Sequence, residues 1–222
     1  MAHERSHKEP MMDDPATEEA MGDASRAAQL AALGDEVRDL TQSPLYAFRQ
    51  AHKYQPVIGE GPADASIMLI GEAPGEYEAK SGRPFVGASG RVLDELLASI
   101  GQQRSQVYIT NVVKDRPPEN RDPSPEEIAL YAPFLVRQIE IIRPKVIATL
   151  GRFAMEFVLN LLQITPENAM ISKLHGQVLH GKAAYGAVAV VPLYHPAVAL
   201  YSTPRKATLL EDIQALKPFV DQ

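Results

Sequence analysis

The chain has 222 residues, 45% of them hydrophobic, a formal charge of -6 and no cysteine. That length and apolar content suffice for one sizeable core. The missing cysteines exclude disulfides, thiolate nucleophiles, cysteine zinc sites and clusters held by four cysteines.

The acidity is local. Residues 1–40 hold ten acidic and four basic side chains, and the rest of the chain holds eighteen of each. A neutral body leaves room for a basic surface that faces a polyanion. No apolar run approaches the roughly 20 residues needed to span a bilayer. The opening MAHERSHKEPMMDD has no secretory apolar region and is too acidic for a transit peptide. The expectation is a soluble cytoplasmic protein with no membrane contact.

Residues 1–23 are polar, acidic and poor in large apolar side chains, and read as a disordered tail. Residues 24–222 read as a single domain. An Ala-rich helix is expected over 24–40, interrupted near Gly34. From residue 66, four short apolar runs rich in β-branched residues read as buried strands: SIMLIGEA, QVYITNVV, KVIATLG and AVAVVPLYH. Helical patterns lie between and after them. RVLDELLASIG follows a Ser-Gly start. SPEEIALYAPFLVRQIEIIR has Ser124 as N-cap, Pro125 at the first helical position and Glu127 closing a capping box. RFAMEFVLNLLQ follows the third strand, and TPRKATLLEDIQALKPF begins with Thr203 as its cap. HGQVLHGKAAYGAV is a candidate for a short hairpin before the last strand. The alternation predicts an α/β fold with a mainly parallel four-stranded sheet covered on both faces.

In such a sheet, ligands bind at the carboxyl ends of the strands. That places GEAPGEYE, NVVKDRPPENR and YHPAVAL in one crevice. Gly71, Gly75, Gly82, Gly87 and Gly90 allow close backbone approach to a ligand. The helix entered through Gly87–Gly90 has N–H groups suited to a phosphate, although an ordinary capped loop reads the same way. Neither G-x-x-x-x-G-K-[ST] nor G-x-G-x-x-G is present. Phe85 either plugs the core or offers a flat face to a base. Of the loop carboxylates, Glu72 is better placed than Glu78, because it directly follows a strand. Asn111 ends a buried strand, where its amide either caps backbone or reads a base edge. His195 precedes proline and is either a turn residue or a donor. The other five histidines form no metal pattern, so no metal is expected.

Together these segments resemble the family 4 branch of the uracil-DNA glycosylase superfamily. The resemblance runs from about residue 38 to 218 and rests on GEAPGE at 71–76, PFVG at 84–87, ITNVVK at 109–114, RPP at 116–118, Asn120-Arg121, Leu150-Gly151 and HPA at 195–197. It implies a three-layer α/β/α domain, acting as a monomer, that flips uracil out of DNA and hydrolyses its N-glycosidic bond. Glu72 matches the carboxylate that handles the attacking water or the charge on the sugar. Phe85 matches the stacking aromatic, Asn111 the reader of the uracil edge, and Glu78 a group near uracil C5. His195 matches the donor to the departing base, and Asn120 a second polar group of the same wall. Gly71 and Ala73 flank Glu72 in the substrate pocket. Gly87, Ser89, Gly90, Lys114, Arg116, Arg121, Pro196, Ala197, Leu200 and Arg205 form the expected DNA-facing set, joined by Lys206.

Enzymes of this branch usually carry four cysteines around an iron–sulfur cluster. The matching positions here fall on Leu40, Ser43, Asp115 and Tyr131. The expectation is that Leu40 and Tyr131 fill the space by apolar packing while Asp115 and Ser43 find hydrogen bonds. No cofactor is expected. Two rival readings stay open at this point: a silent uracil-DNA binding module, and a nucleotide-processing α/β enzyme.

Overall fold

The computed structural model describes residues 15–220. In chain order these form α1 (Pro15–Arg38), α2 (Tyr46–Ala51), β1 (Ile67–Gly71), α3 (Glu76–Ser81), α4 (Ala88–Ser99), β2 (Tyr108–Asn111), α5 (Pro125–Ile142), β3 (Val146–Leu150), α6 (Arg152–Leu161), α7 (Ile171–Leu174), β4 (Leu179–Ala183), β5 (Gly186–Leu193) and α8 (Thr203–Asp212). Helix α1 begins inside the stretch expected to be tail, and residues 1–14 of that stretch lie outside the described residues. Gly34 does not interrupt α1. A Cβ there would meet its neighbours at an ordinary 3.5 Å, so the glycine costs only helix propensity, roughly 1 kcal/mol against alanine.

The strand order is β2-β1-β3-β5-β4. The first four are mutually parallel and correspond to the four apolar runs. The fifth, β4, pairs antiparallel with β5, so the candidate hairpin is present and the sheet has five strands instead of four. Burial explains the difference in legibility. Strands β1, β2 and β3 are buried at every residue, whereas β4 is an edge strand that alternates between half-buried and exposed.

Side-chain alternation divides the core between two faces. Met68, Ile70 and Ile147 point toward α1, α5 and α6, packing with Leu33, Tyr131, Leu135 and Met155. Leu69, Ala148 and Val191 point toward α4 and α8, packing with Leu93, Leu97 and Leu209. This is the expected α/β/α sandwich. Helix α5 starts as its sequence dictates: the Glu127 N–H donates to Ser124 Oγ at 3.2 Å, and the Ser124 N–H donates to the Glu127 carboxylate at 2.8 Å.

From β1 the chain moves outward to β2 and then returns past β1 to β3. Loops on the two sides of that switch diverge and leave a crevice at the carboxyl ends. Gly71, Asn111 and Leu193 are the last residues of β1, β2 and β5, so the three polar segments emerge on the same edge.

Candidate active site

A cavity of about 410 Å³ opens at this edge, lined by residues of all three segments, including Glu72, Glu78, Phe85, Asn111, Asn120, Arg121 and His195. Ala73, Ser89 and Ala197 complete the wall from the expected set. Its floor depends on a glycine. Gly71 pairs in register with Asn111, and a Cβ on Gly71 would fall 2.3 Å from Asn111 Oδ1 and 2.7 Å from Phe85 Cζ. Only glycine lets those two side chains meet over the strand end.

Asn111 is 2% exposed, and its Oδ1 is buried without a hydrogen-bond partner. Leaving such a group unpaired costs on the order of 1–3 kcal/mol. An amide held that way beside an open cavity is an acceptor awaiting a ligand.

Phe85 belongs to both the core and the cavity wall. It is 6% exposed and packs into the α4 side of the core, yet it also lines the cavity. Its backbone is left-handed, with φ 50°, a conformation worth roughly 1–3 kcal/mol of strain in a non-glycine residue. Arg104 donates to the Phe85 carbonyl at 3.0 Å and also to the Pro84 carbonyl. Glu78 Oε1 accepts from the Val86 and Gly87 N–H groups, both at 3.0 Å. Gly90 leaves room for the Phe85 carbonyl, which a Cβ would meet at 1.8 Å.

The ring of His195 lies 5.8 Å from that of Phe85, tilted by 32°. The Ala197 N–H donates to His195 Nδ1 at 3.2 Å, which fixes Nδ1 as acceptor and puts the proton of the neutral ring on Nε2. Burial holds the ring below its ordinary pKa, against the opposing charge of Glu78. His195 is therefore a neutral N–H donor. Gly151, with φ 96°, gives it room: a Cβ there would stand 3.3 Å from His195 Cβ. Glu72 is half-buried, and burial pushes its carboxyl up to about 7, with Asp122 adding to the rise and Arg152 opposing it. A carboxyl poised there exchanges protons at neutral pH.

Several members of the expected DNA-facing set do other work. Lys114 is fully buried and cannot reach a phosphate. Arg116 is largely buried, and its guanidinium donates to Asn120 Oδ1 at 2.8 Å and to the Tyr54 hydroxyl at 2.6 Å. It orients Asn120 so that the amide N–H₂ is turned away from the arginine. Gly90 and Pro196 are buried, and the Gly87 N–H is committed to Glu78. Arg121 lines the cavity, held by Glu127 through bonds of 2.8 and 2.6 Å. Arg205 is exposed and lies 4.6 Å over the Tyr194 ring. Lys206 pairs with Glu95 at 2.5 Å. Leu200 is 41% exposed. Two exposed aromatics were not singled out from the sequence: Tyr77 at 71%, beside Gly87, and Tyr201 at 89%, next to Leu200. Their positions inside GEYE and directly after PAVAL were the available signal.

The four positions that match cluster cysteines do converge. Ser43 Oγ lies 2.8 Å from the Tyr131 hydroxyl, which donates to Asp115 Oδ2 at 2.6 Å. Arg49 Nη1 approaches the same carboxylate at 3.2 Å and the Val37 carbonyl at 3.2 Å, and Nη2 reaches the Arg38 carbonyl at 2.6 Å. Leu40 is buried beside them, joined through the Ser43 N–H to Leu40 carbonyl bond of 3.3 Å. A carboxylate, two hydroxyls and an arginine in mutual contact are not a thiolate cage, and these residues do not fit an iron–sulfur cluster. Asp115 and Ser43 are hydrogen-bonded as expected. Tyr131 differs, since its hydroxyl is the centre of the network and its packing is only partly apolar.

The family model of the uracil DNA glycosylase superfamily matches residues 58–217. The chain is 51% identical over 145 residues to the type-4 uracil-DNA glycosylase of Archaeoglobus fulgidus, covering 65% of this chain and 72% of the relative. It is 43% identical to the type-4 enzyme of Sulfurisphaera tokodaii, covering 83% and 82%, and 41% identical to that of Thermotoga maritima, covering 85% and 93%. A mainly parallel sheet with its pocket at the strand ends, an asparagine with an unpartnered Oδ1 beside an aromatic, and these matches together place the chain in the uracil-DNA glycosylase superfamily.

Proposed function

We propose that this protein is a uracil-DNA glycosylase that extrudes deoxyuridine from DNA, hydrolyses the bond between uracil N1 and C1′, and leaves an abasic site. The observation that carries this reading is the buried, unpaired Asn111 Oδ1 beside Phe85 and His195. Base extrusion costs a few kcal/mol of unstacking, which stacking on Phe85 and edge hydrogen bonds to Asn111 offset. The electron pair of the broken bond leaves with uracil, and the neutral Nε2–H of His195 donates to the oxygen where negative charge grows. Water adds to C1′ from the side of Glu72, whose carboxylate form takes its proton or stabilises the positive sugar. Asn120 and Arg121 border the strand that carries the uracil.

The protein acts on uracil-containing DNA as a monomer in the cytoplasm. Its exposed large apolar side chains among the described residues are five, spread over Tyr77, Met170, Val178 and the Leu200-Tyr201 pair, too few for a large oligomer interface. Among the described residues no helix is long and apolar enough to cross a membrane. A labelled oligonucleotide with one uracil, incubated with protein and EDTA and then with alkali, tests the activity. Cleavage at uracil, with none at thymine, is expected. Intact DNA would reject the enzyme in favour of a binding module, and a strict need for divalent ion would reject the mechanism.

A further inference from the structure

Lys114 stands 0% exposed in the wall behind the pocket, and burial by itself pulls its pKa well below the ordinary lysine value. An isolated buried cation is costly, so a lysine persists there only when its protons are all bound. Its Nζ donates to Gln138 Oε1 at 2.5 Å, Thr110 Oγ1 at 2.7 Å and the backbone carbonyl of Asn111 at 2.7 Å. Each acceptor is fixed from behind. The Thr110 hydroxyl donates to the Ile58 carbonyl at 2.7 Å. The Gln138 amide N–H₂ donates to the Ile58 carbonyl at 2.8 Å and to the Tyr108 hydroxyl at 3.1 Å, which turns Oε1 toward the lysine. Three acceptors in reach match the three protons of an ammonium, and this geometry opposes the pull of burial toward the neutral amine.

We propose that Lys114 is kept as an ammonium behind Asn111, where it fixes the strand end of the pocket and its charge offsets the negative charge that uracil acquires on leaving. The positioning follows from the backbone: Lys114 holds the Asn111 carbonyl, while the next two N–H groups, of Val112 and Val113, donate to Gly71 and Glu72 at 2.9 and 3.0 Å. Moving this segment moves Asn111 and Glu72 together. The electrostatic part follows from burial, since a charge in a water-poor wall acts on the pocket with little screening. The other titratable groups around it do not neutralise it. The Tyr108 hydroxyl is pushed up to about 12 and stays protonated, Asp115 turns away to Arg49 and Tyr131, and Glu72 stands in the pocket, reaching the lysine segment through its backbone.

The inference deepens the glycosylase reading and rests on it. Single-turnover excision is measured for wild type, Lys114→Met and Gln138→Glu, on uracil and on 5-fluorouracil in the same oligonucleotide, across neutral and alkaline pH. Lys114→Met is expected to slow uracil release on the order of 10²-fold, the loss typical of one preorganised charge-stabilising group. DNA affinity stays within about threefold of wild type, since the charge acts on the departing base. The loss is smaller for 5-fluorouracil, whose anion is more stable by itself. Wild-type activity falls as rising pH removes the ammonium; Lys114→Met lacks that limb, and Gln138→Glu, which supplies a counter-charge, moves it upward. An equal loss on both bases, or a limb indifferent to Gln138→Glu, would overturn the proposal. Should Lys114→Met fail to fold, the Gln138→Glu profile decides alone. A wild type that releases no uracil removes the glycosylase reading itself, whereas an active wild type with an unimpaired Lys114→Met removes only this inference.

Discussion

The pocket and the Asp115 corner are both buried, both polar and separated by only a few residues of the same segment, yet they are finished differently. Around Asp115 every polar group has a partner: Arg49 holds two backbone carbonyls and the carboxylate, and Tyr131 links that carboxylate to Ser43. In the pocket, Asn111 Oδ1 has none, and Phe85 sits in a strained left-handed conformation. Complete hydrogen bonding builds a staple between α1, α2, the β2 loop and α5. Incomplete hydrogen bonding builds a receptor. The comparison predicts that damage to the corner lowers stability while damage to the pocket lowers turnover.

The largest effect is expected at the corner. Asp115→Ala leaves Arg49, 3% exposed, as an unpaired buried charge, which costs about 3–5 kcal/mol. The melting temperature should fall by several degrees, while the excision rate per folded molecule stays near wild type. An unchanged melting temperature would show that the network is not a staple. Iron analysis of purified protein should return no stoichiometric iron.

Next comes His195→Ala. Loss of one preorganised donor lowers the excision rate by roughly 10²–10³-fold and leaves uracil-DNA affinity little changed, because the donor acts on the departing base. A loss of affinity equal to the loss of rate would assign His195 to substrate binding instead.

The pH dependence of Glu72 is smaller and has a definite sign. Its folded pKa of about 7 stands above the ordinary carboxyl value of 4.5, so the folded protein binds the extra proton between those values. Stability from this group is fully present below the unfolded pKa and is lost as pH rises through about 7. The excision rate should rise over the same range, as the carboxylate forms. Glu72→Gln should remove that limb from the rate profile; a rate that falls through neutrality in wild type would contradict the assignment.

The smallest effect belongs to Tyr131→Phe, which removes one buried hydroxyl and costs on the order of 1 kcal/mol. A modest drop in melting temperature with normal excision would complete the contrast.

What was legible in the sequence was whatever repeats over short distances or sits on a chain landmark. Buried parallel strands read as continuous apolar runs, and the Ser124–Glu127 capping box is written in four residues. Glu72 and Asn111 were singled out because each lies where a strand ends, and His195 through the resemblance carried by HPA. What was not legible depends on partners far along the chain. Lys114 and Arg116 read as phosphate contacts because they flank a crevice, but Lys114 is drawn inward by Gln138, 24 residues on, and Arg116 by Tyr54, 62 residues back. The hydroxyl of Tyr131 finds Ser43 across 88 residues. Edge strand β4 was faint because half of its side chains meet water. Gly87 and Gly90 were taken as surfaces for DNA, whereas their spacing serves Glu78 and the Phe85 carbonyl.

Whether Asn111 reads the edge of a flipped uracil is decided by Asn111→Asp. An aspartate keeps the shape and the acceptors but loses the donor, so it should bind the uracil edge poorly and instead accept from the exocyclic amine of cytosine. On paired oligonucleotides that carry uracil or cytosine at one position, a large loss of uracil excision is expected together with a shift in preference toward cytosine. Uracil excision at the wild-type rate by Asn111→Asp would contradict it.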